Sequence, residues 1–197
     1  QGQDGYSLGI VCKWDDAAGL EKTLGISLAL ANDRLFIKAT QSNLAEDDKI
    51  PRVAYLPSFA GITSREQFMS PADRRGMIGR GLAGGIIRNL LLDMHRANEA
   101  RRKELKGDRT KIKNTDLARL RRDDPWEILR STLIDVFQTE LSVTPFNEAY
   151  HSYIRVQTIK GSSQTGKFVP YVGANPRDMM AEGTGFLQWL SVYSLAL

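Results

Sequence analysis

Apolar and polar positions alternate through the first fifty-odd residues and then change to a helical period. Leu8 to Trp14, Thr23 to Ala31 and Arg34 to Thr40 are β-branched or apolar runs parted by the turn residues Asp15-Asp16 and Asn32-Asp33, a pattern that predicts strands. The Asn32-Asp33 break predicts a tight antiparallel hairpin. After the acidic loop Glu46-Asp47-Asp48, a further short strand is expected over Arg52 to Leu56, halted by Pro57. Residues 1–69 thus read as a lobe built mainly on an antiparallel sheet.

The period changes at Ser70-Pro71-Ala72-Asp73, where Ser stands at an N-cap, Pro at the first helical position and Asp in the first turn. Met77, Ile78, Leu82, Ile86, Leu90 and Met94 recur at helical spacing, which predicts one long helix reaching about Leu105 and ended by Gly107-Asp108. Asp124-Pro125-Trp126-Glu127 announces a second helix with Ile128, Leu129, Leu133, Ile134, Phe137 and Leu141 on one face. A short polar helix or ordered loop, Thr115 to Arg122, lies between them. Residues 70–142 therefore read as a helical lobe with a basic connector. Strand character returns over 149–159 and 168–172, joined by a loop from Gly161 to Gly166. The chain closes with an amphipathic helix that starts at Gly183-Thr184-Gly185, so residues 143–197 read as a β-hairpin and a last helix. The fold class expected is α+β: an antiparallel sheet lobe, a helical lobe, and the last helix packed on the sheet.

Composition narrows the class. With 197 residues, 42% hydrophobic and 25% charged, the chain can bury a core, and disordered, collagenous and disulfide-stapled architectures are excluded. Cys12 is the sole cysteine, which points to a reducing compartment. No run approaches the roughly 20 apolar residues of a membrane helix, and Gln1-Gly2-Gln3-Asp4 lacks the features of a signal peptide. The expected location is cytoplasmic, with no membrane partner. Because the chain begins without Met and ends on the apolar run Ser191 to Leu197, it is expected to be part of a longer protein.

The net charge of +4 is unevenly placed: Arg96 to Arg122 carries +7, and the rest of the chain −3. A charge run on a helix is commonly a solvated face. The same run can also serve as the electrostatic footprint of a phosphate backbone, with Arg101, Arg102, Lys103, Lys106, Arg109, Lys111, Lys113, Arg119, Arg121 and Arg122 as the candidate DNA-binding residues. Two glycine patterns invite a nucleotide reading. Gly79-Arg80-Gly81-Leu82-Ala83-Gly84 matches G-x-G-x-x-G but lies inside a helical pattern, whereas the dinucleotide loop follows a strand. Gly161 to Lys167 fits G-x-x-x-x-G-K after a strand, yet Phe168 replaces the Mg²⁺-binding hydroxyl and strand, not helix, follows; a flexible hairpin loop is the favoured reading. His95 and His151 have no neighbours at metal-ligand spacing, and no nucleophile elbow frames a hydrolytic triad.

Glu182-Gly183-Thr184-Gly185-Phe186-Leu187-Gln188-Trp189-Leu190-Ser191 resembles the signature motif of ABC-type ATPases in the SMC, RecF and overcoming-lysogenization-defect groups, written S-x-G-x-Q, or S-G-F-x-Q in the last of these. The order of a strand at Val53 to Leu56, a loop with Phe59 and Gly61, a helix with Ile87-Arg88-Asn89-Leu90-Leu91, and then Trp126, Phe137 and Leu141 resembles the stretch between the Walker A and signature regions of such proteins. The resemblance implies that the whole chain belongs to one ATPase head. It implies that Gly183, Thr184, Gly185 and Phe186 meet the γ-phosphate of ATP held by an opposing head, where small residues let helix N-terminal amides approach an anion. Gly183 stands where many members carry Ser and Phe186 where Gln or Glu is usual, which leaves Thr184 as the hydroxyl. ATP and Mg²⁺ are the implied cofactors, and a second head the implied partner, joined on ATP binding and released on hydrolysis. DNA is the further implied partner, in repair or defence against phage; whether a nuclease or other effector is attached stays open. Walker A is expected ahead of Gln1 and Walker B after Leu197, so no catalytic residue is expected within the chain, and hydrolysis by it alone is not expected. The other reading is a non-enzymatic DNA-binding or adaptor module that works through the basic segment.

Overall fold

The period-two pattern of the first fifty residues folds as an antiparallel meander. In the computed structural model the described residues are 7–31, 34–50, 62–164 and 166–196, and the chain divides into two units, Gln1–Val53 and Ala54–Leu197. In the first unit β1 (Ser7–Asp15), β2 (Glu21–Ala31) and β3 (Arg34–Ser42) lie in that order. Ile10 faces Ile26 and Leu28 faces Ile37, so one face of the sheet is apolar. Ala31 pairs with Arg34, so β2 and β3 are antiparallel neighbours; the turn expected at Asn32-Asp33 lies outside the described residues. The β1–β2 turn is held by Asp16, whose Oδ1 accepts from the amides of Ala18 and Leu20, with Gly19 at φ +78°. The expected strand over Arg52 to Leu56 lies outside the described residues.

The second unit carries the helices. These are α1 (Pro71–Gly79), α2 (Ile87–Lys106), α3 (Asn114–Asp123), α4 (Pro125–Phe137) and α5 (Thr184–Ala196). A sheet runs β4 (Thr139–Val143), β5 (Val156–Gln164), β6 (Lys167–Pro170), and β7 (Arg177–Asp178) pairs with β5; every pairing is antiparallel. With helices beside antiparallel sheets, the fold is α+β. Its core joins Ile87, Leu91 and Leu92 of α2, Trp126, Leu129 and Leu133 of α4, Leu141 and Val156 of the sheet, and Phe186, Leu187 and Leu190 of α5. Leu91, Leu129, Leu133 and Leu190 have no exposed surface, and each fully buried side chain of this kind contributes about 1.5–3 kcal/mol. Helix α5 lies on α2 and meets the sheet at Phe186, whose ring sits beneath the Lys160 ammonium of β5. No helix among the described residues is long and apolar enough to cross a membrane.

Several helix ends follow the sequence closely. Ser70 caps α1 by accepting from Asp73 N, Asp124 caps α4 by accepting from Trp126 N and Glu127 N, and Gly107 ends α2 at φ +52°. Three expectations are corrected. The single helix from Ser70 to Leu105 is two helices, separated by Gly81 at φ +73° and a 3₁₀ turn at Ala83–Ile86. Gly76, Gly79, Gly81, Gly84 and Gly85 crowd that stretch, and each glycine inside a helix costs about 1 kcal/mol, while the turn buries Ala83 and Ile86 fully. Leu141 does not extend α4. Gln138 turns left-handed at φ +51°, and Leu141 faces the core from a strand. The strand expected from Ala149 begins at Val156, because Asn147 folds the chain back: its carbonyl accepts from Tyr150 N and His151 N, and its side chain from Ala149 N.

The start of α2 is held by Glu66. Its Oε2 accepts from Arg88 N at 2.8 Å, and its Oε1 from Asn89 N and Asn89 Nδ2, both at 2.7 Å. Burial pushes this carboxyl up to about 7, against the pull of those donors and of the Arg88 charge. An acid whose folded-state pKa lies above its unfolded value holds an extra proton when folded. Its contribution is therefore present in full below about 4.5 and is lost as the pH rises through about 7. We expect the second unit to lose about 3 kcal/mol across that window, and Glu66→Gln to flatten the dependence. Urea unfolding followed by the helical circular-dichroism signal checks this; an unchanged pH slope in the variant refutes the assignment.

Candidate functional site

The approach to α5 is built from two carboxylates. Asp178, at the end of β7, receives both Nη atoms of Arg88 at 3.2 and 2.7 Å, and its Oδ1 also accepts from Met180 N at 2.9 Å. This caps a 3₁₀ turn, Met179–Ala181, whose Met179 has no exposed surface. Glu182 follows. Its carboxylate accepts from Thr158 Oγ1 at 2.8 Å, pairs with Lys160 Nζ at 2.8 Å and lies 3.9 Å from Arg177. Burial raises the Glu182 pKa, but the hydrogen bonds from Lys160 and Thr158 outweigh it and hold the carboxyl below its ordinary value. The last residues before α5 are thus tied to β5 and β7 by charged hydrogen bonds.

Gly183, Thr184 and Gly185 emerge exposed from this anchored turn. The Gly183 carbonyl accepts the first helical bond from Leu187 N at 3.2 Å, so the amides of Thr184, Gly185 and Phe186 occupy the first turn, where no intrahelical acceptor exists. A Cβ placed on Gly183 or Gly185 would meet nothing within 4 Å, and neither residue has a positive φ. Neither folding nor packing requires glycine at these positions. Phe186 is different: its side chain is buried and meets the Phe137 ring edge-on at 5.2 Å, so of this residue only the backbone faces the helix start. Gln188 stands exposed one turn into the helix.

The ten basic candidates separate into two sets. Arg101 pairs with Asp124 at 3.0 Å, and Arg102 reaches Glu127 and Asn98, each at 3.0 Å from Nε. Asn98 Nδ2 donates to both of those acids, so the α2 cations neutralise the buried carboxylates that start α4. Arg119 lies 3.8 Å from Asp116, and Arg122 is 2.7 Å from Asp123. Lys103, Lys106, Arg109, Lys111, Lys113 and Arg121 are exposed and enter no ion pair among the described residues. These six, spread over the end of α2, the connector and α3, are the free positive surface.

The glycine patterns have structural causes. Gly161 is inside β5, paired with Pro170, and a Cβ there would lie 2.4 Å from both Phe168 Cζ and Val169 O; Gly166 turns the hairpin at φ +76°. Lys167 is the first residue of β6, opposite Gln164, so this stretch is a strand hairpin and not a loop feeding a helix. The G-x-G-x-x-G stretch is the break between α1 and α2, where Gly81 supplies the positive φ. His95 packs against the edge of Trp126 at 5.0 Å, its pKa lowered by burial. Among the described residues no group of three or more His, Cys, Asp and Glu side chains is arranged to hold a metal ion.

Comparison with protein-family models, with curated proteins and with solved structures finds no match to this chain. The site therefore rests on its own geometry. Removing Asp178 tests how firmly the approach to α5 is held, because it strands a guanidinium with no exposed surface. Asp178→Ala is expected to cost about 2 kcal/mol in urea unfolding, below the 3–5 kcal/mol of a fully buried pair because the aspartate side chain is 43% exposed. A change within about 0.5 kcal/mol would show that the pair contributes no more than an ordinary surface contact.

Proposed function

We propose that the chain is part of an ABC-type ATPase head of the SMC and RecF kind, and that the start of α5 meets the γ-phosphate of ATP held by a second head. The observation that carries this reading is the pair Gly183 and Gly185, which no internal contact and no backbone angle requires, at the positive end of a helix whose lead-in is fixed. The local charge fits an anion. Glu182 is opposed by Lys160 and Arg177, so the anchored turn presents net positive charge beside the helix N-terminus. The nucleotide would supply the phosphate, held by the Thr184, Gly185 and Phe186 amides and the Thr184 hydroxyl; Mg²⁺ accompanies it on the opposing head. In this reading the phosphate loop and catalytic carboxylate come from sequence flanking this chain. Gly185→Asp, made in a protein that includes them, is expected to abolish ATP-dependent dimerisation and hydrolysis while sparing ATP binding by the single head. Normal turnover in that variant refutes the reading.

The second reading, a DNA-binding or adaptor surface on the α2–α3 connector, is favoured by the six exposed cations without carboxylate partners. Arg101 and Arg102 are unsuitable for testing it, since reversing them would disrupt the start of α4. Lys106→Glu, Lys111→Glu and Lys113→Glu together avoid that network. The triple variant is expected to bind duplex DNA more weakly, with the slope of log affinity against log salt shallower by roughly 2–3. Unchanged affinity and slope, measured by fluorescence anisotropy across a salt series, assign these side chains to solvent.

A further inference from the structure

The connection between β4 and β5 gathers rings and guanidinium groups that neither reading above uses. A recess of about 170 Å³ opens there, and Phe146, Tyr150, His151, Tyr153 and Arg155 line it. It has room for one planar ring, well short of the 300 Å³ at which drug-sized pockets begin. On its inner side Phe146 stacks on Phe68 with ring centres 5.6 Å apart, and Arg96 lies 5.6 Å from the Phe68 ring while donating to the Phe146 carbonyl at 2.9 Å. The outer wall is open, since Tyr150 is 83% exposed. His151 is oriented by Asn147, whose backbone amide donates to His151 Nδ1 at 3.0 Å. In the neutral ring this leaves Nε2 as the N–H donor. Its ring centre is 5.8 Å from that of Phe146.

The one arginine among the residues that line the recess is Arg155. Arg155 lines it together with Tyr153, and Arg65 lies 5.8 Å from the Tyr153 ring centre. Against Arg65, Arg96 and Arg155, the connection itself contributes one carboxylate, Glu148, and nearby Asp178 is already taken by Arg88. Exposed rings beside guanidinium groups are the combination that holds an unstacked base and its phosphate. A duplex keeps its bases stacked and paired and so cannot insert one ring into a recess of this size.

We propose that this recess binds single-stranded nucleic acid, with one base stacked against Tyr150 and His151 and an adjoining phosphate on Arg155. The site is separate from the start of α5 and from the α2–α3 cations, and it does not rest on the ATPase reading. Fluorescence anisotropy of the full chain with a labelled oligo(dT) of about twelve nucleotides, and with a duplex of equal length, tests it. Tyr150→Ala is expected to weaken single-strand binding by about 5- to 100-fold, to leave duplex binding unchanged, and to leave thermal unfolding unchanged because the side chain is exposed. Tyr150→Trp is expected to retain the affinity. Arg155→Gln is expected to weaken binding and to make the single-strand salt slope shallower by about 0.7. The proposal is overturned if the chain does not bind the oligonucleotide, as would hold for a recess that takes only a peptide. It is overturned equally if Tyr150→Ala binds as the parent does, or loses single strand and duplex alike.

Discussion

A guanidinium with no exposed surface must be met on every side, and the second unit of this chain is organised around how Arg88 is met. Its Nε donates to the Thr63 carbonyl, one Nη to the Val156 carbonyl, and both Nη atoms to Asp178, while its backbone amide is held by Glu66. One side chain in the first turn of α2 thereby ties the segment ahead of α1, the first residue of β5 and the end of β7 together. A buried cation without these acceptors would cost several kcal/mol, so the arrangement forms as a whole or not at all. The same constraint explains why α2 begins where it does. The 3₁₀ turn and Gly81 bring Arg88 inward, and a continuous helix from Ser70 would leave the turn's Ala83 and Ile86 without their fully buried places.

The start of α5 inherits its position from that arrangement. Asp178 uses one oxygen for Arg88 and for the amide of Met180, so the ion pair and the cap of the 3₁₀ turn share an atom. Glu182 then fastens the next residues to Thr158 and Lys160, one strand face over. A helix N-terminus that is to meet a charged group from outside has to be held while that group arrives, because ordering it at the moment of contact would subtract from the binding energy. The loop ahead of α5 is pre-ordered by interactions of this kind. Gly183 to Gly185 are the first residues past the anchors, and they are exposed.

What could be read from the residues alone was whatever depends on neighbours in sequence. The caps at Ser70, Asp124 and Gly107, the antiparallel pairing of β2 with β3 and the existence of α5 are local events, and they stand as expected. What could not be read depends on distant partners. Arg101 and Arg102 are indistinguishable in sequence from Lys103 and Lys106, yet the two arginines are spent on Asp124 and Glu127, more than twenty positions away, and the two lysines are not. A run of like charges cannot announce which of its members the fold will neutralise. Leu141 likewise satisfies a helical period and a strand period equally well, and Gln138 decides between them by turning left-handed. The aromatic recess was invisible for the same reason: Phe68 and Phe146 stand far apart in sequence and meet only across the folded unit.

Glycine shows how structure separates roles that composition merges. Gly161 is required by crowding, since Val169 O and Phe168 occupy the volume its Cβ would take. Gly81, Gly107 and Gly166 are required by their positive φ, which L side chains rarely adopt. Both causes are internal to the fold, and they account for Gly81 in one nucleotide-loop-like pattern and for Gly161 and Gly166 in the other, while Gly79 shows neither. Gly183 and Gly185 have neither cause: their backbone angles suit any residue, and the space beside them is open. Within the first turn, glycine at Gly185 also forfeits stability relative to alanine, whereas at the cap position of Gly183 glycine is itself favoured over alanine. In the reading proposed above, a group approaching from outside would use the open space beside both glycines. A backbone that must come within hydrogen-bonding distance of a phosphate is such a case.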